Sequence, residues 1–419
     1  MFFTALALLL VGIPVAFVFG TTAIIFTAIS LDFGFEIFNL LPFRIYGIMQ
    51  NFTLMSIPLF ILMGIILEKS KIAEKLLESM GSILSGVKGG VAISVVLVGL
   101  ILATTTGIVG ASVVMIGVIS LPIMLKYQYD KSLASGTVLA SGTLGQIVPP
   151  SIVLIILADV MSLSIGDIFK SAIIPSMMLV TLYLIFIVWK TSSTTHLEIT
   201  IKEKKPLFTL LKYLIPPIFL MFSVLGSIFM GIASPTESAS IGVLGATILT
   251  IFNRTFSFQL IIKSAEETMK ITGMVFMILF GATAFSLVFN EWGGTELLLD
   301  IFTSNIEDKN IFVIIAMGLI FILGFFIDFI EIAFVVVPIL MPIVNEFGIN
   351  PIWFAILIAI NLQTSFLTPP FGFALFFLKG AVGDMVKTVD LYRGVIPFIF
   401  IQITVLALIY FYPKIIFLF

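Results

Sequence analysis

The stretch GTLGQIVPPS, residues 142–151, places two consecutive prolines inside an apolar segment of the chain. Neither Pro149 nor Pro150 has an N–H group to donate, and each favours an extended conformation at the residue before it. A helix therefore breaks here, and the carbonyls of Gly145 and Gln146 lose their usual helical partners. Within a membrane such a break is tolerated only where it lines a cavity or meets an ion, because a polar group that faces lipid is costly.

The same arrangement recurs in NLQTSFLTPPFG, residues 361–372. Its prolines are Pro369 and Pro370, and Pro369 follows Pro149 by 369 − 149 = 220 residues. One such element is compatible with a proline kink that neighbouring helices repair. Two elements at matched positions indicate a repeated unit, and broken segments in both halves are typical of transporters with a binding site near the membrane midplane.

The composition around these elements fits a membrane protein. The 419 residues are 60% hydrophobic and 11% charged, whereas soluble domains are about 25% charged. This excludes a soluble enzyme, a nucleic-acid binder and a disordered chain. The apolar runs are also much longer than the strands of about ten residues in a β-barrel. We therefore predict an all-α polytopic membrane protein.

The chemistry of several membrane enzymes is excluded by what the sequence lacks. It contains no cysteine, so disulfides, thiolate metal sites and cysteine nucleophiles are ruled out. Its single histidine, His196, lies in a polar stretch away from any serine motif, and no HExxH or Walker A sequence occurs. We expect no enzymatic activity.

The chain divides near its midpoint. The longest polar stretch is 190–212, which holds five lysines, and short Lys-rich loops of membrane proteins are usually cytoplasmic. We therefore predict a first repeat over 1–189, a cytoplasmic linker over 190–212 and a second repeat over 213–419.

Two further motifs occupy corresponding places in the repeats. ATTTGIVGASV, residues 103–113, suits either the turn of a re-entrant hairpin or a small-residue face for helix packing. Its counterpart, residues 323–334, carries Asp328 and Glu331 at i and i+3 on one helix face. Carboxylates within a membrane are functional candidates, although the pair is also compatible with capping at a hairpin tip or a water-filled cavity.

Three segments have a structural interpretation. Ser234, Pro235 and Glu237 fit the N-cap, N1 and N3 positions of a capping box. The amphipathic stretches Glu68–Lys88 and Asn253–Lys270 mix charges with Leu and Ile at helical spacing. We predict that both form helices lying along the membrane surface.

Six segments together resemble the large membrane subunit (DctM-like) of tripartite ATP-independent periplasmic (TRAP) transporters, over essentially the whole chain. They are SIPLFILMG (56–64), GVKGGVAIS (86–94), LASGTLGQIVPPSIVLI (139–155), SIGDIFKSAIIP (164–175), ASPTESASIG (233–242) and NLQTSFLTPPFGFALFF (361–377). The resemblance implies two inverted repeats in an elevator-type transporter, each repeat with scaffold helices, a re-entrant hairpin and a broken helix. By position, the hairpins span 90–125 and 311–346, and the broken helices span 133–161 and 351–378.

The resemblance also implies two Na⁺ sites, with substrate between the hairpin tips. The candidate ligands of the first site are Thr105, Thr106, Gly107, Gly142, Thr143, Gly145 and Gln146. Those of the second site are Gly324, Asp328, Gln363, Thr364, Ser365 and Thr368. The candidate substrate-binding residues are Thr106, Ser112, Ser151, Asp328, Glu331 and Gln363, and the helix-breaking residues are Pro149, Pro150, Pro369 and Pro370. The first tip departs from many relatives, which often read Gly-Ser-Ser where this chain has Gly-Ile-Val.

The implied function is sodium-coupled import of a small organic anion, such as a 2-oxo or hydroxy acid, across the bacterial inner membrane. The implied partners are a small four-helix membrane subunit (DctQ-like) and a periplasmic substrate-binding protein (DctP-like), with no nucleic acid. Two alternatives remain open: a self-sufficient carboxylate carrier coupled to Na⁺ or H⁺, and a membrane scaffold without transport activity.

Overall fold

The protein is helical throughout the part of the chain that the structure describes. The structure is a computed structural model, and it describes residues 1–84, 87–106, 109–192, 207–306 and 308–418. Its regular elements are helices, with no β-strand among these residues. Seven of the described helices are long and apolar enough to cross a membrane, and four shorter apolar helices accompany them. The prediction of an all-α polytopic membrane protein is therefore confirmed.

The first half contains ten helices in the described residues. They are α1 (Phe2–Leu10), α2 (Val15–Ala28), α3 (Leu41–Met49), α4 (Ser56–Lys69), α5 (Ile72–Ile83), α6 (Gly90–Thr106), α7 (Val109–Lys126), α8 (Lys131–Thr143), α9 (Ile152–Val160) and α10 (Ile165–Ser192). A 3-10 turn precedes α3 at Phe35–Leu40, and another ends α8 at Leu144–Gln146. The range predicted for the first hairpin coincides with α6 and α7, and that of the first broken helix with α8 and α9.

The described part of the second half also contains ten helices. They are α11 (Leu207–Phe229), α12 (Pro235–Phe252), α13 (Phe258–Glu291), α14 (Gly294–Asn305), α15 (Lys309–Leu323), α16 (Phe329–Glu331), α17 (Val337–Glu346), α18 (Pro351–Leu367), α19 (Phe373–Val382) and α20 (Thr388–Phe411). A π-helical segment, Ile332–Val336, joins α16 to α17, and 3-10 turns follow α19 and α20. Helices α15 to α17 cover the predicted second hairpin, and α18 and α19 cover the second broken helix.

Both helix breaks fall at the Pro–Pro elements. α8 and its 3-10 turn end before Pro149, and Ser151 then caps α9. α18 ends just before Pro369, and α19 starts at Phe373. The peptide bonds within the two Pro–Pro elements are both cis. The missing N–H groups explain why neither helix continues through its prolines.

The broken helices form the centre of the molecule. Residues 353–367 of α18 are all buried, as are residues 152–158 of α9. α8 packs against α6, α7 and α20. In a second group, α4 packs against α12 and α13, and α13 packs against α2; α4 also contacts α6 of the first group. By contrast, Phe219 and Phe222 of α11 are 70% and 71% exposed. Such outward apolar side chains are suited to lipid. The first break is almost wholly buried, whereas the second reaches the surface at Pro370 and Phe371.

Close approach of backbones holds the first break in the buried core. A Cβ atom on Gly136 of α8 would overlap the carbonyl oxygen of Gly394 in α20, and one on Gly394 would overlap the carbonyl of Ser132. Ser135 Oγ also donates to the Asp390 carbonyl at 3.4 Å. Small residues on both helices therefore allow contact between their main chains, as is common within membranes.

The predicted capping box is confirmed, and it starts α12. Ser234 Oγ accepts from the Glu237 backbone N–H at 3.3 Å, and Glu237 Oε2 accepts from the Ser234 N–H at 2.7 Å. Pro235 occupies the first turn.

The prediction of a surface helix over Asn253–Lys270 is wrong. Ser257 caps α13, and this helix runs for 34 residues without interruption to Glu291. Such a helix is about 51 Å long and exceeds a membrane core of about 30 Å. Its polar first turns therefore extend beyond the membrane core without forming a separate element.

Two other predicted segments lie only partly within the residues that the structure describes. Glu68–Lys88 divides between the end of α4 and α5, and residues 85 and 86 lie outside the described part. In the predicted linker, residues 193–206 lie outside it as well. The surface position of the first stretch and the division of the chain into repeats stay predictions.

Candidate ion and substrate site

The two helix breaks meet through a pair of buried polar side chains. Gln363 Nε2 of α18 donates to Thr143 Oγ1 of α8 at 3.4 Å, and both residues are almost wholly inaccessible. The two residues are 220 positions apart, which is the spacing of the two Pro–Pro elements. Corresponding places in the two halves therefore face each other at the centre of the protein.

The first break satisfies part of its own backbone. Ser151 Oγ donates to the Gln146 carbonyl at 2.7 Å and also accepts from the Leu154 N–H at 3.5 Å. Thr143 Oγ1 donates to the Ala140 carbonyl at 3.0 Å. The Gln146 carbonyl thus has no helical N–H partner, as the prolines predict, and the Ser151 hydroxyl takes the place of that partner. Ser151 has a structural task here, and its predicted contact with substrate stays a prediction.

Several buried polar atoms at the breaks have no hydrogen-bond partner in the part of the chain that the structure describes. They are both amide atoms of Gln146, Oε1 of Gln363 and Oγ of Ser365. An unpaired buried polar group costs about 1–3 kcal/mol. All of these groups except the Gln146 nitrogen are neutral oxygen donors, which are the ligands that hard cations prefer. Two breaks with unpaired oxygens suit an alkali cation.

The other predicted ligands of the second break are hydrogen-bonded within their helix. Thr364 Oγ1 donates to the Ile360 carbonyl at 2.8 Å, and Thr368 Oγ1 donates to the Thr364 carbonyl at 2.7 Å. A hydroxyl oxygen that donates its hydrogen keeps lone pairs for a further contact. The structure therefore brings these oxygens close to the break and leaves them able to bind a cation.

The first hairpin packs directly on the first broken helix. A Cβ atom on Gly142 would lie 2.6 Å from Val113 Cγ2 and 2.9 Å from its Cα in α7. Ser112, the preceding residue, is buried in the same arm. Glycine at this position permits the close approach. Of the predicted residues at this tip, Thr105 and Thr106 end α6 but their side chains lie outside the described part, as does Gly107.

The second hairpin makes the matching contact. Gly324 ends α15, and a Cβ atom on it would overlap Ser365 Oγ in α18. Asn361 Nδ2 of α18 also donates to the Met317 carbonyl of α15 at 2.7 Å. This bond anchors the hairpin to the broken helix, and the sequence analysis did not anticipate it.

The two carboxylates of the second hairpin have different environments. Asp328 precedes α16, and its Oδ1 accepts from the Phe329 N–H at 2.7 Å. It therefore acts as a cap, which is the structural alternative considered for the pair, and the two residues do not share the face of one continuous helix. Glu331 is 4% exposed, and its Oε2 has no hydrogen-bond partner in the described ranges. A buried, unpaired carboxylate is stable only when neutral or when it meets a cation.

One polar contact links the α3–α4 loop to the broken helix, and the sequence analysis missed it. Asn51 Nδ2 donates to Asp159 Oδ1 at 2.6 Å. The signal was present, because Asp159 is a lone carboxylate at the end of the apolar run IVLIILADV. Its partner depends on how the loop folds back on α9, which no local pattern reveals.

Comparison with known proteins shows which protein family the sequence matches. The family model for the DctM component of the tripartite ATP-independent periplasmic transporter matches residues 2–415. The chain is 27% identical over 410 residues to the sialic acid TRAP transporter large permease protein SiaM of Vibrio cholerae, covering 98% of this chain and 95% of that protein. It is 25% identical over 388 residues to the C4-dicarboxylate TRAP transporter large permease protein DctM of Pseudomonas aeruginosa, covering 90% and 88%.

A solved structure shares the fold. The Alcanivorax borkumensis YdaH transporter superposes with a TM-score of 0.63, covering 97% of each chain at 14% identity. This likeness concerns the arrangement of helices alone.

Proposed function

We propose a transport function for this chain because it belongs to the DctM family. Members of this family are the DctM component of tripartite ATP-independent periplasmic transporters. It is thus a large permease subunit and a multi-pass protein of the bacterial inner membrane; this family consists of transporter subunits, not of enzymes. The specific function that we propose is sodium-coupled import of a small organic anion. A periplasmic binding protein delivers the anion, and a small four-helix membrane subunit completes the complex.

The observation that carries the sodium proposal is the set of unpaired oxygens where the broken helices meet. Gln146 supplies such an oxygen at the first break, and Gln363 and Ser365 supply them at the second. The hydroxyl oxygen of Thr143, already hydrogen-bonded to Gln363, lies between the two breaks. Thr364 and Thr368 add hydroxyl oxygens to the second set. A cation at each break offsets the cost of burying these groups without partners. Cation binding then fixes each hairpin against its broken helix.

The substrate follows from the same geometry. Helices α9 and α19 both begin at a helix break, and the break before α9 is almost wholly buried. The positive end of a helix dipole attracts an anion, as at the midplane sites of other transporters with broken helices. The sialic acid and C4-dicarboxylates in the names of the two relatives are both organic acids. A carboxylate between the hairpin tips fits these features.

Transport requires the two hairpins and the two broken helices, which we call the central unit, to move together as one rigid body. Hairpins and broken helices pack closely at Gly142 and Gly324 and are suited to travel together. Helices α2, α4, α12 and α13 form a second group, which contacts the first group where α4 packs on α6. We propose that this second group is the scaffold. We infer an elevator movement of the first group past the second.

Uptake into proteoliposomes tests the proposal. The chain is reconstituted with its small subunit and binding protein, and 2-oxo acids, hydroxy acids and succinate are offered under an inward Na⁺ gradient. We expect accumulation that requires all three proteins and Na⁺. Accumulation by the chain alone would favour the self-sufficient carrier, and the absence of both uptake and a Na⁺-specific thermal shift would favour the scaffold without transport.

Proton coupling is the second candidate, because Glu331 is buried with one oxygen unpaired. Under this alternative a pH gradient drives uptake without Na⁺, and Glu331→Gln abolishes that uptake. The sodium proposal expects the pH gradient alone to drive none. Measurement of uptake under each gradient separately decides between the two coupling ions.

A further inference from the structure

A cleft that carries a few charged and hydroxyl side chains lies between the scaffold and the second arm of the second hairpin. Its volume is about 450 Å³. α3 and α13 contribute Arg44, Thr283 and Ser286 to one wall, and Asp159 of α9 and Pro338 of α17 contribute to the other. This volume is in the range of small-molecule sites. The cleft is separate from the helix breaks, because none of the unpaired side chains described above lines it.

The path of the chain places this cleft on the periplasmic face. α9 ends at Val160, beside Asp159, and α10 then begins at Ile165. α10 is about 42 Å long, so its two ends lie on opposite faces of the membrane. The Lys-rich linker at its far end is predicted to be cytoplasmic. Asp159 therefore lies at the periplasmic end.

Counting crossings from the same cytoplasmic linker into the second half gives a consistent answer. Helices α11, α12 and α13 follow the linker, and each qualifies as a membrane span. Three consecutive crossings that begin in the cytoplasm end in the periplasm. Thr283 and Ser286 lie in the last turns of α13, so their wall of the cleft faces the periplasm too.

The cleft presents one cation and one anion that do not neutralise each other. Arg44 is one of three arginines in the sequence, and within the described part of the chain it forms no ion pair. Asp159 instead accepts a hydrogen bond from Asn51 at 2.6 Å. Thr283 Oγ1 donates to the Leu279 carbonyl at 2.7 Å and keeps acceptor capacity. Because Arg44 forms no ion pair in the described part of the chain, the N–H groups of its guanidinium are available to a ligand.

We propose that this cleft receives the transported anion from the periplasm and selects for one carboxylate together with hydroxyl groups. The Arg44 guanidinium binds the carboxylate through paired N–H donors. Hydroxyl groups of the ligand donate to Asp159 and exchange hydrogen bonds with Ser286. A second carboxylate is repelled by Asp159, so hydroxy acids and sugar acids enter in preference to C4-dicarboxylates. The inference rests on the proposed import function, whose substrate class it narrows.

A single introduced cysteine tests the cleft directly, because the chain has no cysteine of its own. Gly47 of α3 lines the cleft, and a Cβ atom there meets no other atom within 4 Å. The Gly47→Cys chain is labelled in proteoliposomes with an anionic methanethiosulfonate reagent. Labelling rates are compared with gluconate, N-acetylneuraminate, succinate or neutral glucose present.

We expect gluconate and N-acetylneuraminate to slow the labelling, succinate to slow it less, and glucose to leave it unchanged. Arg44→Gln should weaken the protection about fivefold, the size of one charged contact near solvent. Asp159→Asn should let succinate protect as well as the hydroxy acids. The matched control is Arg393→Gln, which removes an exposed arginine of α20 outside the cleft.

Equal protection in the Arg44→Gln and Arg393→Gln variants would overturn the proposal, as would a cysteine that does not react. The labelling needs neither Na⁺ nor partner proteins. A chain that shows Arg44-dependent protection but no uptake would refute the proposed import function and not the site. Uptake without Arg44-dependent protection would refute the site alone.

Discussion

At the scale of single residues, Gln146 carries the most specific claim. Its side-chain amide is buried beside a helix break, and neither polar atom has a partner among the residues that the structure describes. If this is only a packing defect, an apolar residue of similar size would stabilise the protein. If the amide oxygen binds Na⁺, the same replacement removes a ligand.

We therefore predict that Gln146→Leu raises the Na⁺ concentration for half-maximal uptake about tenfold, as expected from loss of one contact to a charged group worth about 1.5 kcal/mol. The Na⁺-specific thermal shift should shrink in parallel. Gln402→Leu is the control, since Gln402 is also buried with an unpaired oxygen but bonds Tyr183 in the α10–α20 packing. A Gln146→Leu protein that is more stable and keeps the wild-type Na⁺ dependence would exclude the amide as a ligand.

Local chemistry predicted some site residues and missed others. The Pro–Pro element led to the freed carbonyl of Gln146, because missing N–H donors are visible in the sequence. Gln363 became a candidate through the resemblance to the transporter family. The Pro–Pro element did not predict that Ser151 satisfies the Gln146 carbonyl, since that bond depends on how the chain turns after the prolines. The contact between Asn51 and Asp159 depends on tertiary packing across 108 positions.

At the scale of elements, the contact of Gly324 with Ser365 decides how closely the second hairpin approaches its broken helix. The backbone of Gly324 has φ −64°, which any residue adopts. Only the space is limiting, because a Cβ atom would overlap Ser365 Oγ.

Gly324→Ala should therefore lower the free energy of unfolding by about 1–3 kcal/mol, the usual range for overpacking a core. Gly318→Ala in the same helix is the matched control, because a Cβ atom there meets nothing within 4 Å. Adding Ser365→Gly to the Gly324→Ala chain should recover part of the loss. Thermal unfolding in detergent measures all three, and equal stability of the two alanine variants would show that the hairpin is not held at this point.

Elements with a local signature were predictable, and those set by long-range packing were not. The capping box at Ser234 and both helix breaks follow from side-chain and N–H chemistry within a few residues. The amphipathic pattern of 253–270 led to a wrong prediction of a surface helix. The end of a long membrane-spanning helix, where it extends beyond the membrane core, carries the same mixture of residues as a surface helix. The π-helical segment after Glu331 has no signature in the sequence that we recognise.

At the scale of the whole molecule, the account requires one packed group to slide past the other. The hydrogen bond between Asn51 and Asp159 joins the scaffold side to α9 of the central unit. Any elevator movement must break it. By contrast, Ser227 of α11 and Ser238 of α12 lie on the scaffold, with their hydroxyl oxygens 2.8 Å apart, and should stay together throughout.

The measurement that tests this movement most directly is uptake after cross-linking of the Asn51→Cys/Asp159→Cys chain. The absence of native cysteines makes the introduced pair unique within the chain. Uptake with reductant present gives the reference for the two substitutions, and the Ser227→Cys/Ser238→Cys chain is the control for cross-linking within the scaffold. The account predicts that cross-linking the first pair stops Na⁺-driven uptake, that reductant restores it, and that the control keeps its activity. Full cross-linking of the first pair with undiminished uptake would contradict an elevator movement of the broken helices past the scaffold.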